Sequence, residues 1–454
     1  MASGLKLTRR GLVKGVGWTV GAYGAGQFVR LVSSIVLTRL LSPELFGIMT
    51  IVNTVRTGVD LLSDVGIGQS IVQNKNAEDP DFYNTAWTVK LLRGLLLCVV
   101  CAASANYFGE FYNSPLVSIV LPVMALSFVL DGFTSISSSL MQKRMKIAAL
   151  NIYGFAFEVI PGVALVVLAY FFRSIWALVF GLLFSSAVRM VVSYFQLGDV
   201  RVKFHISKQY MWDILHFGKW IFFGTLIYFL SGNFDRLYLG KVAPLALLGV
   251  YGIARSLADM IVQLVGRLCG FIVFPYIASS SDEPREQLRG KLAPARFQML
   301  LVAAVGMSAF AAVADLPVKI IYDQRYHAAA GMLPIMALGV WFSILCNVNE
   351  SVLFGFGRPQ YAAIGNMVKF GWLLIGLPIG YTSFGFFGII VVVAVSDFFR
   401  YFPLFIGQMR ARFSFGVQDI VTSLVMFGLF GVFVWLRWYL GFGVAFDNPV
   451  EHIS

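Results

Sequence analysis

Apolar residues run along this chain in long blocks, interrupted by short polar breaks rich in glycine and proline. A helix needs about 20 consecutive apolar residues to cross a bilayer. Thirteen such stretches can be placed, starting near Val16, Leu45, Thr85, Leu116, Ile147, Ile175, Ile214, Ala246, Gln298, Ala328, Ala362, Phe386 and Ile420. Backbone polar groups in hydrocarbon must be satisfied within the protein, and these blocks are about twice the ten-residue alternating repeat of a barrel strand, so they are read as helices. The pattern predicts an all-α polytopic membrane protein.

Spans one to six and seven to twelve are of similar length and are parted by a basic stretch. This predicts an N-terminal six-helix lobe over 1–197, a cytoplasmic linker over 198–213, a C-terminal six-helix lobe over 214–412, and an extra helix with its tail over 413–454. An even number of helices per half gives both halves the same orientation, the parallel-repeat plan of many transporters. A faint echo supports it: "SPELFGIMTIVNTVRTGVD" and "VAPLALLGVYGIARSLAD" both place a proline shortly before a glycine and both contain Arg-x-x-x-Asp.

Composition sharpens the picture, since 58% of the 454 residues are hydrophobic, 13% are charged and the mean hydropathy is +0.78. The few charges therefore carry information by where they fall. Eighteen Lys and Arg lie in breaks on one side, in "KLTRRGLVK", "QKRMK", "RVKFHISKQ", "SSSDEPREQLRGKLAPAR" and "MRAR" with Lys75 and Arg358; at most six (Arg39, Arg173, Arg236, Lys241, Lys319, Arg325) lie on the other. The positive-inside rule then places the N-terminus in the cytoplasm. The net charge of +12 largely reflects this bias, so no nucleic-acid partner is expected.

Several short motifs have plainer explanations. "TRRGLVK" resembles a twin-arginine signal, but twelve further spans follow it, so it reads as a positive-inside flank. "CVVC", Cys98 to Cys101, sits among Leu and Val with no histidine near, as small core residues. The pair Asp79 and Asp81 in "DPD" has the spacing of a metal-binding acidic pair, which any acidic loop produces by chance. No phosphate loop occurs in the sequence, the four scattered histidines offer no metal spacing, and no cofactor is expected.

Charges inside the spans are the candidate chemistry. Eleven are basic (Arg30, Arg56, Lys90, Arg93, Arg189, Lys219, Arg255, Arg267, Lys369, Arg400, Arg437) and seven acidic (Asp60, Asp64, Asp131, Glu158, Asp259, Glu350, Asp397). Each costs roughly 2.5 to 3.5 kcal/mol at the bilayer centre, so they must face protein or water. Helical spacing groups them: Tyr23, Gln27, Arg30 and Ser34 share a stripe, as do Asn53, Arg56, Asp60 and Asp64, and Tyr251, Arg255, Asp259 and Gln263. Arg56 with Asp60, Arg255 with Asp259 and Asp397 with Arg400 have the spacing of intrahelical ion pairs, and Arg189, Arg267 and Arg437 lie near span ends, where they can snorkel. Arg30, Lys90, Arg93, Lys219 and Lys369 lack a partner on their own helix. The basic excess along polar faces predicts a cavity for an anion, held by Arg30, Lys90, Arg93, Lys219, Arg255 and Lys369. Asp60, Glu158 and Asp259 are the carboxylates placed to carry a coupling proton or cation.

The stretches "LTRLLSPELFGIMTIV", "DLLSDVGIGQSIVQ", "TAWTVKLLRG" and "FDRLYLGKVAPLALLGVYGIARSLADM" resemble the polysaccharide transporter family, the Wzx-like oligosaccharide flippases of the multidrug/oligosaccharidyl-lipid/polysaccharide superfamily. The resemblance implies two six-helix lobes around a central cavity that opens alternately to the two membrane faces. It also implies an undecaprenyl-pyrophosphate-linked oligosaccharide as substrate, turned over in a bacterial inner membrane beside other polysaccharide-assembly proteins; the pyrophosphate would be the anion. A thirteenth span departs from the family's usual twelve or fourteen and would leave the C-terminus periplasmic, or mark a chain ended before a last helix. Three other functions fit parts of this picture: a peptidoglycan lipid-precursor flippase, which also wants basic groups; a drug/cation antiporter, which wants acidic ones; and a membrane polymerase or ligase, which wants a sizeable outer loop that the short outer loops do not provide.

Overall fold

Prolines open the helices where the apolar blocks begin: Pro43, Pro80 and Pro115 each occupy the first turn of a helix, where the missing N–H has no acceptor to lose. A computed structural model describes residues 9–144, 146–197, 200–280 and 283–445, and only the backbone at 9–20, 22–23, 147–148, 151, 215 and 217–221. The described residues form helices and no strand: α1 (Arg9–Leu40), α2 (Pro43–Leu62), α3 (Ile67–Gln73), α4 (Pro80–Ala103), α5 (Ala105–Phe111), α6 (Pro115–Phe133), α7 (Ser137–Lys143), α8 (Ile147–Phe172), α9 (Ile175–Ser193), α10 (Lys208–Val242), α11 (Leu245–Leu268), α12 (Phe274–Ser279), α13 (Arg285–Val313), α14 (Asp315–Ile321), α15 (Ala329–Gly355), α16 (Gln360–Arg410) and α17 (Gly416–Tyr439). All thirteen stretches read as spans are helical. Ten described segments are long and apolar enough to cross a membrane. One of them, α16, holds two of the thirteen stretches, broken at Phe384 and Gly385. The helices α1 and α10, with 32 and 35 residues, also have the length.

The chain divides into two compact units, one running to Phe229 and taking in 239–245, the other made of 230–238 and the chain from Ala246 onward. The expected boundary at 213/214 therefore falls inside the first unit. The reason is the packing of α10: Ile214 is fully buried among Phe82, Trp87, Leu140 and Leu197, Thr225 donates to the Leu61 carbonyl at 3.1 Å, and the Phe229 ring closes on Gly58. In the same unit α4 and α6 approach so closely that a Cβ on Gly94 would lie 2.4 Å from the Phe128 carbonyl.

In the second unit α15 is central, with Trp341 fully buried. Gly339 lets it meet the second arm of α16, where a Cβ would lie 2.3 Å from the Ala394 carbonyl. The helix α17, expected as an addition beyond the lobes, is seated in this unit: Ser308 donates to the Met426 carbonyl at 2.9 Å and Trp341 to Ser423 at 2.9 Å.

Candidate functional site

In the first unit, α2, α4 and α6 bring together Arg56, Asp60, Lys90, Arg93 and Asp131. Arg56 reaches Asp131 at 2.9 Å and Ser127 at 2.7 Å, and Arg93 reaches Asp60 at 2.7 Å and the Ser63 carbonyl at 2.9 Å. The expected intrahelical pair of Arg56 with Asp60 does not form, because each finds a partner on a neighbouring helix. Half-buried Lys90 donates to the Thr134 carbonyl at 3.1 Å and to the Thr134 hydroxyl. Each arginine thus takes one carboxylate, and the third cation, Lys90, has none within 4 Å among the described residues. The buried Oδ1 of Asp131 accepts no hydrogen bond.

Arg30, on α1, forms a two-oxygen pair with Glu158 of α8, both contacts at 2.7 Å, with side chains 43% and 37% exposed. Gly26 lies beside it, where a Cβ would meet the Glu158 Cγ at 3.5 Å, an ordinary contact. The pair is therefore accessible. The Lys219 side chain lies outside the described residues.

The cations expected at the site in the second unit are paired with carboxylates. Asp259 is shared by Arg255 and Arg236, each at 3.2 Å. Lys369 meets Asp397 at 2.8 Å across the two arms of α16, Ser343 donates to the same carboxylate, and Arg400 bridges Glu350 at 2.6 Å and Asp397 at 3.8 Å. Buried Asp235 accepts from the Tyr251 hydroxyl. Arg236, read as a cation of an outer break, and Asp235 beside it lie within α10, which continues to Val242.

Two further pairs were not legible. Arg296, read as a loop cation, lies in α13, which continues through Pro294, and its guanidinium is buried against Asp419 of α17 at 2.5 Å. Arg437, expected to snorkel, instead holds Asp315 at 2.8 Å, buried. The "DPD" pair is accounted for locally: Asp79 caps α4 by accepting from the Asp81 amide at 3.1 Å and also takes the Tyr210 hydroxyl at 2.8 Å.

The sequence profile of a family described as polysaccharide biosynthesis protein matches residues 36–331. The lipopolysaccharide biosynthesis protein WzxC of Escherichia coli (strain K12) is 24% identical over 407 residues, covering 87% of this chain and 81% of its own. The succinoglycan biosynthesis transport protein ExoT of Rhizobium meliloti (strain 1021) is 22% identical over 364 residues, covering 80% and 72%. Among solved structures, the lipid II flippase MurJ in an inward closed conformation superposes with a TM-score of 0.71 at 12% identity, covering 91% of this chain and 92% of that one. An inward-facing multidrug resistance MATE family transporter of the MOP superfamily superposes with a TM-score of 0.65 at 13% identity, covering 91% and 95%. At these identities the structural likeness speaks for the fold alone.

Proposed function

Since the chain belongs to the polysaccharide biosynthesis protein family and is a Wzx-like polysaccharide transporter of the membrane, we infer that its cargo is an oligosaccharide unit carried on undecaprenyl pyrophosphate. It moves that unit from the cytoplasmic to the periplasmic leaflet of a bacterial inner membrane, its N-terminus lying in the cytoplasm. A pyrophosphate leaving a negative interior moves downhill by roughly 2.3 kcal/mol per charge per 100 mV, so the work of the protein is to lower the barrier to the hydrated headgroup. No bond is made or broken, and the protein acts as a transporter and not as an enzyme.

The observation that best supports an anionic cargo is Lys90, a cation in a membrane helix whose protein partners are the neutral oxygens of Thr134. A buried charge is tolerated when it is paired, and a pyrophosphate oxygen would supply the missing partner. Arg93 and Arg56, each held by one carboxylate, flank it and can share that anion, while Arg30 and the Lys219 position remain candidates. Arg255 and Lys369 are committed to Asp259 and Asp397 and bind cargo only by exchanging a carboxylate for it. Asp60, Glu158 and Asp259, each bound to an arginine, are the carboxylates at which protonation would free a cation, and so are the candidates for ion coupling.

The test is reconstitution in vesicles with a fluorescent undecaprenyl-pyrophosphate oligosaccharide, whose outward movement is read by an impermeant reagent attacking the sugar. Protein-dependent movement that depends on the pyrophosphate is the expected result. Movement of organic cations in its place would overturn the reading.

A further inference from the structure

Residues 200–207 lead into α10 and are neither helix nor strand. Arg201, Lys203 and His205 alternate there with Val202, Phe204 and Ile206. The amides alternate too: those of Lys203, His205 and Ser207 donate to Asn84 at 2.7 Å, Thr88 at 3.2 Å and Thr85 at 3.0 Å, all buried side chains of α4. This is the pattern of an extended chain laid edge-on against a helix, with successive side chains thrown to opposite sides. One side is basic and exposed. The other leaves the core progressively, from Val200, 7% exposed, to Phe204 at 68% and Ile206 at 50%, with Trp212 of α10 at 68% beyond them.

Two costs fix where such a segment can sit. The amides of Val202, Phe204 and Ile206 have no protein acceptor among the described residues, and unpaired backbone is excluded from hydrocarbon. Three large apolar side chains with this exposure disfavour bulk water. The headgroup layer satisfies both, since it hydrates the amides and accepts aromatic and aliphatic side chains. Arg201, Lys203 and Lys208 are then at the depth of lipid phosphates.

We propose that this strap is a binding surface for acidic phospholipid: Phe204, Ile206 and Trp212 enter the boundary between headgroups and acyl chains, and Arg201, Lys203 and Lys208 hold the phosphates. The proposal concerns lipid at the strap and stands whatever the cargo.

An environment-sensitive fluorophore on Phe204→Cys, with Ile206→Cys as a second site, tests it in the full-length protein in vesicles of phosphatidylcholine with and without phosphatidylglycerol. The unsubstituted protein supplies the background from the four native cysteines. Phosphatidylglycerol should shift the emission to the blue and reduce quenching by aqueous iodide at both sites. Each cation near an acidic leaflet strengthens attachment about fivefold, so Arg201→Glu with Lys203→Glu should weaken it on the order of 25-fold or more and abolish the shift. Equal exposure to iodide in both vesicle types overturns the proposal, as does a shift that survives the double reversal. Shielding that appears only on addition of a soluble protein, in neutral and acidic vesicles alike, would assign the surface to a protein partner and overturn it equally.

Discussion

A cation on a membrane helix needs either a carboxylate from the protein or an anion from elsewhere, and that choice sorts the candidates. Lys369 has the first. Removing its partner by Asp397→Asn strands Lys369 and weakens the hold on Arg400, and breaking a buried pair in this way costs about 3–5 kcal/mol; the melting temperature and folded yield in detergent should fall together. Lys90 has no carboxylate partner among the described residues, so Lys90→Gln should leave folded yield unchanged while slowing transport of a pyrophosphate-linked lipid about tenfold, the equivalent of 1.4 kcal/mol. Normal transport by Lys90→Gln would move the anion site elsewhere in the protein. The presence of these charges was legible because periodicity placed them on polar faces, and the Arg255 pair with Asp259 follows from spacing alone. The partners were less legible: Arg56 could as well have met Asp60 four residues on, and only the approach of α6 gives it Asp131. Spacing lists the neighbours on one helix, whereas the packing of several helices decides among them.

At the scale of elements, helices were read from apolar length and their joints were not. Phe386 was correctly taken as the start of a new span, and Gly385 beside it explains why: with φ 58 and ψ −144 it occupies backbone space that is essentially glycine's alone. Gly385→Ala should cost about 1–3 kcal/mol, seen as a lower melting temperature. The hairpin then closes at Gly388, where a Cβ would lie 2.1 Å from the Gly380 carbonyl. The opposite error was made at α10, where a span starting near Ile214 left Arg236 in a break, whereas the helix continues to Val242. The seat of α17 was hidden because Asp315, at the start of α14, and Arg437 are 122 residues apart. Burial alone would raise the Asp315 carboxyl, but Arg437 and Lys319 outweigh it and hold it below the ordinary carboxylate value. A carboxylate depressed on folding adds stability above its unfolded pKa, about 3.9, and loses it as pH falls through the folded value. Thermal stability should therefore drop below about pH 4, where the unfolded chain takes up the proton first, and Asp315→Asn should be less stable at pH 7 with a smaller acid loss. An unchanged acid profile in Asp315→Asn would remove this pair from the account.

For the whole molecule, the direction of transport rests on orientation, and orientation rests on a count of charges that the structure amends. Arg296 drops out of the basic side because it is buried against Asp419. Arg236 drops out of the opposite side because it lies within α10 and pairs with Asp259. One cation leaves each side, so the excess on the basic side survives, carried by residues in breaks such as Lys75 and Arg201, both exposed. Charges committed to buried pairs do not anchor a loop, since the rule concerns cations that stay in water on the cytoplasmic side. Two exposed positions can therefore decide the matter: Lys75, between α3 and α4, and Gln324, between α14 and α15. In intact cells, an impermeant maleimide should label Gln324→Cys and leave Lys75→Cys unlabelled until the membrane is opened, with Cys98 half-buried and the other native cysteines buried as background. The reverse pattern would place the basic breaks outside, and with them the strap at Arg201, against a leaflet poorer in acidic lipid. A pyrophosphate carried outward along the membrane potential would then meet this protein from the wrong side, and the proposed direction of flipping would fall with the orientation.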